Sequence, residues 1–162
     1  MSALPLWNIC EGRIMEVQPD FRELLALFNE VGVEYVVVGG YALAFHGAPR
    51  YTGDIDILVR PGAANARRVL EALSRFGFGS AGVVEGDFEG QGMVVRLGVP
   101  PVQVDLTTSL TGVSADDVFS RKVLGRYGDV PVFYIGRDDF MRNKRAVGRK
   151  KDLADLEALG AE

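Results

Sequence analysis

A short run of β-branched residues set between glycines is the feature that most restricts how this chain can fold. The run is Tyr35-Val36-Val37-Val38; Gly32 precedes it and Gly39-Gly40 follows it directly. Continuous β-branched runs of this length are typical of strands that are buried on both faces. We therefore expect a layered fold in which helices cover a sheet.

Helical periodicity alternates with short strands along the rest of the chain. Apolar residues recur at helical spacing between residues 21 and 28, and Gly32 is placed to end that helix. The alternation of residues 54–59 predicts a strand. Further strands are predicted at 93–97, 102–106 and 130–135, and further helices at 41–46, 63–76, 115–122, 138–147 and 150–159. Residues 77–92 are expected to form a loop or loose hairpin. Together, these helices and strands predict an α/β (α+β) fold with a short mixed sheet flanked by helices.

Length and composition limit the classes of protein that fit. The chain has 162 residues and a formal charge of −4, which suits one compact domain and argues against a general nucleic-acid coat. The single Cys10 and the absence of an apolar run near about 20 residues indicate a cytoplasmic protein without a membrane span. Residues 1–14 show no sustained period, so we expect an N-terminal arm at 1–14 and one domain at 15–162.

Two acidic residues share one face of the predicted strand at 54–59. Asp54 and Asp56 are two positions apart, while Ile55 and Ile57 point to the opposite, core-facing side. Without a cation the two carboxylates repel each other, and a divalent ion such as Mg²⁺ removes that repulsion. The alternative is a solvated strand face that carries two aspartates.

Three neighbouring features add weight to the metal interpretation. The Gly39-Gly40 turn lets backbone N–H groups approach an anion, although an ordinary strand-to-helix turn would look the same. Arg50 can bind phosphate through its guanidinium fork, and Thr52 can stabilise the start of the strand or donate to phosphate; a surface loop is the alternative. Asp105 completes a triad if its strand lies beside residues 54–56, and otherwise faces water on an edge strand.

At this point the sequence resembles a known superfamily. Gly39-Gly40, then Asp54-Ile55-Asp56, then a later strand with Asp105 resembles the nucleotidyltransferases of polymerase-β type, and more narrowly a family of small bacterial nucleotidyltransferase-like proteins of unassigned substrate. The matching stretches are GGYALAFHGAPRYTGDIDILV, GFGS with the following Asp-Phe pair, LGVPPVQVDLTTSLTGVS and IGRDDFMRNKRAVGRKKDLADLEAL.

The resemblance implies the nucleotidyltransferase fold and assigns the site. Asp54, Asp56 and Asp105 match the metal-binding and catalytic carboxylates, and Gly39 and Gly40 match the phosphate-binding turn. In the basic segment RNKRAVGRKK at 142–151, the resemblance favours Lys144 as the residue that points toward the triphosphate. The alternative for that segment is a solvated helix face.

The implied activity is Mg²⁺-dependent transfer of an NMP group from an NTP to an acceptor hydroxyl, with release of pyrophosphate. Two Mg²⁺ ions are expected, with Mn²⁺ as an alternative ion, and ATP is the expected NTP. The acceptor stays open among RNA, a small molecule and a protein. A homodimer is a further hypothesis.

Two positions depart from the family pattern. Active members more often carry Gly-Ser where this chain has Gly39-Gly40, and close relatives tend to carry a basic residue where this chain has Gln103. Two alternatives to the enzyme remain; the missing serine motivates the first, and the small size without a separate acceptor domain, together with the basic C-terminal segment, motivates the second. One is a module that binds NTP and metal with weak or no turnover, and the other is a toxin–antitoxin component that modifies RNA or a partner protein.

Overall fold

The structure, a computed structural model, describes residues 7–10 and 13–160 and centres on one six-stranded sheet. The strands are β1 (Trp7–Cys10), β2 (Arg13–Glu16), β3 (Tyr35–Val38), β4 (Asp54–Val59), β5 (Val94–Leu97), β6 (Gln103–Thr107), β7 (Val123–Tyr127) and β8 (Val130–Tyr134). The α-helices are α1 (Pro19–Val31), α2 (Gly39–Phe45), α3 (Ala63–Leu73), α4 (Ala115–Ser120), α5 (Arg137–Val147) and α6 (Lys150–Ala158). A π-helical turn at Ser74–Phe78 and a 3₁₀ turn at Glu85–Phe88 complete the elements.

The main sheet is mixed, as the sequence predicts. Its strand order is β5-β6-β4-β3-β8-β7, and β1 pairs with β2 in a separate antiparallel ribbon. Strand β4 runs parallel to β6 and antiparallel to β3, while β3 runs parallel to β8. Strands β5 and β7 lie at the two edges, each antiparallel to its single neighbour. The centre of the sheet is therefore formed by the two strands on either side of the glycine turn, β3 and β4.

The core forms where the predicted apolar patterns meet. All four residues of β3 are buried, and the apolar stripe of α1 is fully buried at Phe21, Leu24, Leu25 and Phe28. Gly32 ends α1 in the left-handed conformation with φ of 85°, and its N–H donates to carbonyls in the last turn of the helix. The helix thus returns the chain directly into β3, which places the Gly39-Gly40 turn at the far end of a rigid strand.

Three local predictions differ from the structure. Strand β7 was not predicted, because Gly125 and Arg126 interrupt its apolar pattern. Gly125 is needed there because a Cβ would lie 2.5 Å from the Phe45 ring. Residues 77–92 contain no strand, which leaves the loop of the two predicted alternatives, but the 3₁₀ turn that buries Phe88 was not predicted. Helix α3 ends at Leu73 and continues as a π-helical turn, where Gly77 adopts φ of 111°.

The N-terminal segment forms more regular structure than its sequence suggests. The ribbon of β1 and β2 contacts α2 and β7 of the main body. Residues 1–6, 11 and 12 of the predicted arm lie outside the described residues, and the boundary expected at residue 14 falls within β2. Within the described part of the chain, none of the helices has the length and apolarity required to cross a bilayer.

Candidate active site

The pairing of β4 with β6 brings the three predicted acids together. Asp56 is the direct register partner of Asp105, and Asp54 lies two residues earlier on the same face of β4. One carboxylate oxygen from each residue lies within 4.8 Å of the other two. Asp105 is only 8% exposed. The structure therefore unites the three carboxylates that the sequence singles out, which form what we call the carboxylate cluster.

The glycine turn packs directly against this cluster. Val38, the last residue of β3, pairs with Asp56, and the next residue, Gly39, begins α2 with φ of 67°. A Cβ on Gly39 would overlap the carboxylate of Asp56. A glycine is required here for two reasons, the left-handed conformation and the lack of space for any side chain.

Gly40 is packed nearly as closely, on the side of the loop that precedes β4. A Cβ at Gly40 would lie 3.2 Å from Cβ of Thr52 and 3.4 Å from Nη1 of Arg50. A serine at this position, as in the family pattern, would require these neighbours to move by a few tenths of an ångström. The glycine therefore fits the local packing of this chain.

Hydrogen bonds hold two of the three carboxylates. The Thr52 hydroxyl lies 2.8 Å from Oδ1 of Asp54 and 2.9 Å from its carbonyl oxygen, so it can donate to either. Arg96 on β5 donates to Asp105 with Nε 2.9 Å from Oδ1, and Gln103 donates through Nε2 at 3.2 Å to each oxygen. No side chain of the described residues donates to the carboxylate of Asp56.

The electrostatics of the cluster favour a bound cation. Burial, followed by the neighbouring negative charges of Asp54 and Asp105, raises the pKa of Asp56 to about 7, against an opposing effect of Lys144 and Lys151. A half-buried carboxylate without a hydrogen-bond donor, next to two more carboxylates, presents hard oxygen ligands of the kind that Mg²⁺ prefers. The donor set therefore fits a divalent ion.

The structure places two predicted phosphate ligands in ion pairs. Arg50 binds Asp155 on α6, with Nε 3.2 Å from Oδ1 and Nη2 3.3 Å from Oδ2. Lys144 is 7% exposed, and its Nζ lies 3.2 Å from both Asp152 and Asp155. The positive charge of Lys144 lowers the pKa of Asp56 in the cluster. Its ammonium group contacts the carboxylates of Asp152 and Asp155 on α6.

A cavity of about 590 Å³ lies beside the cluster, between the N-terminal ribbon, α2 and the loop before β4. We call it the ribbon cavity. Its lining includes Glu16, Tyr41, Ala44, Arg50, Tyr51 and Thr52.

No family model matches the sequence, and no curated protein matches it. Several solved structures do match the fold. A Thermotoga maritima protein, TM1012, with a provisional nucleotidyltransferase assignment, matches with a TM-score of 0.59 at 15% identity over 87% of this chain and 92% of that one. The antibiotic-resistance factor ANT(2'')-Ia matches with a TM-score of 0.57 at 13% identity over 87% and 80%. The lincosamide antibiotic adenylyltransferase LnuA, solved with lincomycin, gives 0.54 at 13% identity over 88% and 96%.

This chain has the nucleotidyltransferase fold. The predicted fold class is thus confirmed, with a six-stranded mixed sheet and flanking helices. In this example of the nucleotidyltransferase fold, the contact between Arg96 and Asp105 was not predicted from the sequence. A signal was present: Arg96 alternates with Val95 and Leu97 on the strand just before Asp105, and an antiparallel β5–β6 pair puts Arg96 and Asp105 opposite each other.

Proposed function

We propose that this protein is a Mg²⁺-dependent nucleotidyltransferase that moves an NMP group, with ATP as the donor, to an acceptor hydroxyl. The observation that supports it most strongly is the carboxylate cluster itself, three acids from two adjacent strands against a glycine turn. Three carboxylates at this spacing repel one another unless a cation is bound. Their presence in a nucleotidyltransferase fold therefore favours a catalytic rather than a structural role.

In the proposed reaction the acceptor oxygen forms a bond to the α-phosphorus of the NTP. The bond from that phosphorus to the bridging oxygen breaks, and pyrophosphate leaves with the electron pair. The hydroxyl proton passes to a carboxylate oxygen of Asp105, which Arg96 and Gln103 hold in place. Most of the rate acceleration comes from positioning and electrostatics.

The metal would be held by Asp54, Asp56 and Asp105, the ligand set that the cluster offers. Bound Mg²⁺ supplies positive charge that neutralises phosphate oxygens as negative charge moves onto the leaving group. Thr52 keeps Asp54 in position, and Gly39 leaves room for Asp56. The backbone N–H groups of Gly39 and Gly40 are assigned to the triphosphate.

Arg50 and Lys144 keep their proposed roles as phosphate ligands in a modified form. Each is paired with Asp155 in this structure, so contact with phosphate requires that a β- or γ-oxygen compete with that carboxylate. The proposal thus includes an exchange of partners when NTP binds. It also places the protein in the cytoplasm, where NTP and Mg²⁺ are available, and treats residues 15–162 as the catalytic domain.

The test uses α-³²P-labelled NTPs with Mg²⁺ and three acceptor sets: hydroxyl-bearing small molecules, total RNA and cell protein. Wild-type protein is expected to transfer label to one set and to release pyrophosphate. Asp54→Asn and Asp56→Asn are each expected to lower the rate by roughly a hundredfold or more while circular dichroism shows an intact fold. Asp138→Asn, an exposed carboxylate on α5, is the matched control and should keep wild-type activity.

A second candidate is a module that binds NTP and metal with weak turnover. The observation that favours it is the pairing of both candidate phosphate cations with carboxylates of α6, together with Gly40 in the place of serine. Calorimetric binding of Mg²⁺–ATP without label transfer to any of the three acceptor sets would support this module over the enzyme.

A further inference from the structure

The ribbon cavity is connected to the carboxylate cluster through one side chain. Thr52 lines the cavity, and its hydroxyl lies 2.8 Å from Oδ1 of Asp54. Tyr41 forms another wall, and burial, followed by the negative charges of Glu16 and Asp54, raises the pKa of its phenol. A molecule in the cavity therefore lies next to the side chain that contacts Asp54, one of the proposed metal ligands.

The charges that line the cavity disfavour an anion. Glu16 and Arg50 are the fully charged residues among the described lining. Arg50 is neutralised by its ion pair with Asp155. Glu16 is exposed, and no ion pair to its side chain occurs within the described residues. The cavity therefore offers the carboxylate of Glu16 to a cation, whereas its single guanidinium is paired with Asp155 and is proposed above to serve the NTP.

Two aromatic rings, those of Tyr41 and Tyr51, are part of the cavity lining. The Tyr41 ring is fixed by edge-to-face packing on Tyr127, with 5.2 Å between the ring centroids. Tyr51 is 79% exposed at the side of the cavity, so its ring is available to pack on a ligand. Rings placed in this way favour a ligand with a ring of its own.

The volume and lining of the cavity favour a drug-sized molecule over a single nucleobase or RNA. A volume near 590 Å³ lies within the range of about 300–1,000 Å³ at which pockets enclose most of a drug-sized molecule. One nucleobase would leave much of that space empty. RNA binding depends on several cationic contacts to phosphate, and the single cation of this lining, Arg50, is paired with Asp155.

We propose that the ribbon cavity is the acceptor site and that the acceptor is an uncharged or cationic, ring-containing small molecule with a hydroxyl that reaches the carboxylate cluster past Thr52. This inference rests on the proposed nucleotidyl transfer. It commits the acceptor to the small-molecule class on the volume of the cavity and to non-anionic members of that class on the charge of its lining. Glu16 selects against anions and attracts an amine, while Tyr41 and Tyr51 hold the ring. In the transfer the acceptor hydroxyl oxygen gains the NMP group, and pyrophosphate leaves as described above.

The binding test needs neither nucleotide nor metal. Amide spectra of the ¹⁵N-labelled full chain are recorded with three panels of ring-containing alcohols, cationic (lincomycin among them), uncharged and anionic, and with adenosine and a ten-nucleotide RNA. We expect the amides of Tyr41, Ala44, Tyr51 and Thr52 to shift with cationic and uncharged alcohols and not with anionic ones. Stronger shifts of these amides with adenosine or RNA, or no shifts with any panel, would overturn the proposal.

Two variants with matched controls assign the binding to this cavity. Glu16→Gln is expected to weaken cationic binders about threefold and to leave uncharged ones unchanged, with Glu23→Gln on α1 as the control. Tyr51→Ala is expected to weaken both classes about fivefold, with the exposed Leu124→Ala as the control. Affinities that stay at the wild-type value in both cavity variants contradict the assignment.

The transfer assay separates this inference from the proposed function. Label transfer to an acceptor whose KM is unchanged in Glu16→Gln and Tyr51→Ala would leave the enzyme standing and overturn the cavity as its acceptor site. Cavity binding without label transfer to any cavity binder, in wild-type protein with ATP and Mg²⁺, would refute the transferase and with it the acceptor role. Asp56→Asn is expected to lose transfer and to keep cavity binding.

Discussion

Asp56 on β4 lies directly opposite Asp105 on β6 in a parallel register, with Gly39 covering the Asp56 carboxylate from the other side. Parallel neighbours point their side chains to the same face at the same level of the sheet, so the two charges cannot turn away from each other. The pair therefore stores electrostatic repulsion in the folded chain, and a bound cation relieves it. The predictions that follow depend on this relationship and on the contacts around it.

The stability of the metal-free protein is expected to fall as the pH rises from about 4 to about 7. The pKa of Asp56 is about 7 in the folded chain against 3.8 as its ordinary value, so the folded state binds more protons than the unfolded state in that window. Between pH 5 and pH 8 this effect amounts to roughly 2–3 kcal/mol. Urea unfolding in EDTA should show the decrease in wild-type protein and a smaller one in Asp56→Asn. Parallel pH profiles for the two proteins would contradict it, and Asp138→Asn should follow the wild type.

Mg²⁺ is expected to restore the stability that is lost at high pH. An ion that binds only the folded cluster stabilises it by mass action, and it competes with the proton on Asp56. Thermal unfolding of wild-type protein should therefore show a larger increase in Tm with Mg²⁺ at pH 8 than at pH 5.5. Asp56→Asn should show little increase at either pH. An equal increase in the variant would mean that the ion binds elsewhere.

Replacing Gly39 is expected to remove activity because an added side chain would displace the Asp56 carboxylate. Gly32, which has a similar backbone conformation but open space around it, serves as the control. Gly39→Ala introduces a Cβ in the left-handed conformation and against the Asp56 carboxylate. Gly32→Ala introduces the same backbone conformation, at φ of 85°, with no atom within 4 Å of the new Cβ. Gly32→Ala should lose about 1–2 kcal/mol of stability, and Gly39→Ala should lose more because its Cβ also overlaps Asp56. Only Gly39→Ala should lose label transfer, and equal activity in the two variants would argue against the proposed role of the glycine turn.

Replacing Lys144 is expected to lower the free energy of unfolding more than replacing an exposed lysine would, because Lys144 forms buried ion pairs. Its ammonium group is buried between Asp152 and Asp155, so Lys144→Met leaves two buried carboxylates with fewer partners. Breaking a buried pair costs about 3–5 kcal/mol. Lys150→Met, at an exposed position on α6, should be nearly neutral. Denaturant unfolding measures both, and a loss near zero for Lys144→Met would contradict the buried network.

Much of the fold and the acid cluster could be predicted because local patterns determine them. The apolar stripe of α1, the buried run of β3 and the alternation of β4 each depend on residues close together in the chain. The meeting of Asp56 and Asp105 followed from a strand pairing that the resemblance implied and the structure supplies. Strand β7 was missed because Gly125 weakens its pattern, and the reason for that glycine, contact with Phe45, involves residues 80 positions apart in the sequence.

The partners of the basic residues could not be predicted from the sequence. Arg50 and Lys144 carry charges that suit phosphate, yet the return of α6 places Asp155 beside both. The ribbon cavity was missed for a similar reason, because Glu16, Tyr41 and Tyr51 come from three segments without a shared motif. Long-range packing, rather than local pattern, decides these contacts.

The most direct measurement of the central claim is the binding of Mn²⁺, as a spectroscopic substitute for Mg²⁺, followed by electron paramagnetic resonance with a non-hydrolysable ATP analogue. Wild-type protein is expected to bind the ion, and Asp54→Asn, Asp56→Asn and Asp105→Asn should each weaken binding at least tenfold, while Asp138→Asn should not. Equal Mn²⁺ affinity in all five proteins would show that the three carboxylates do not form one metal site.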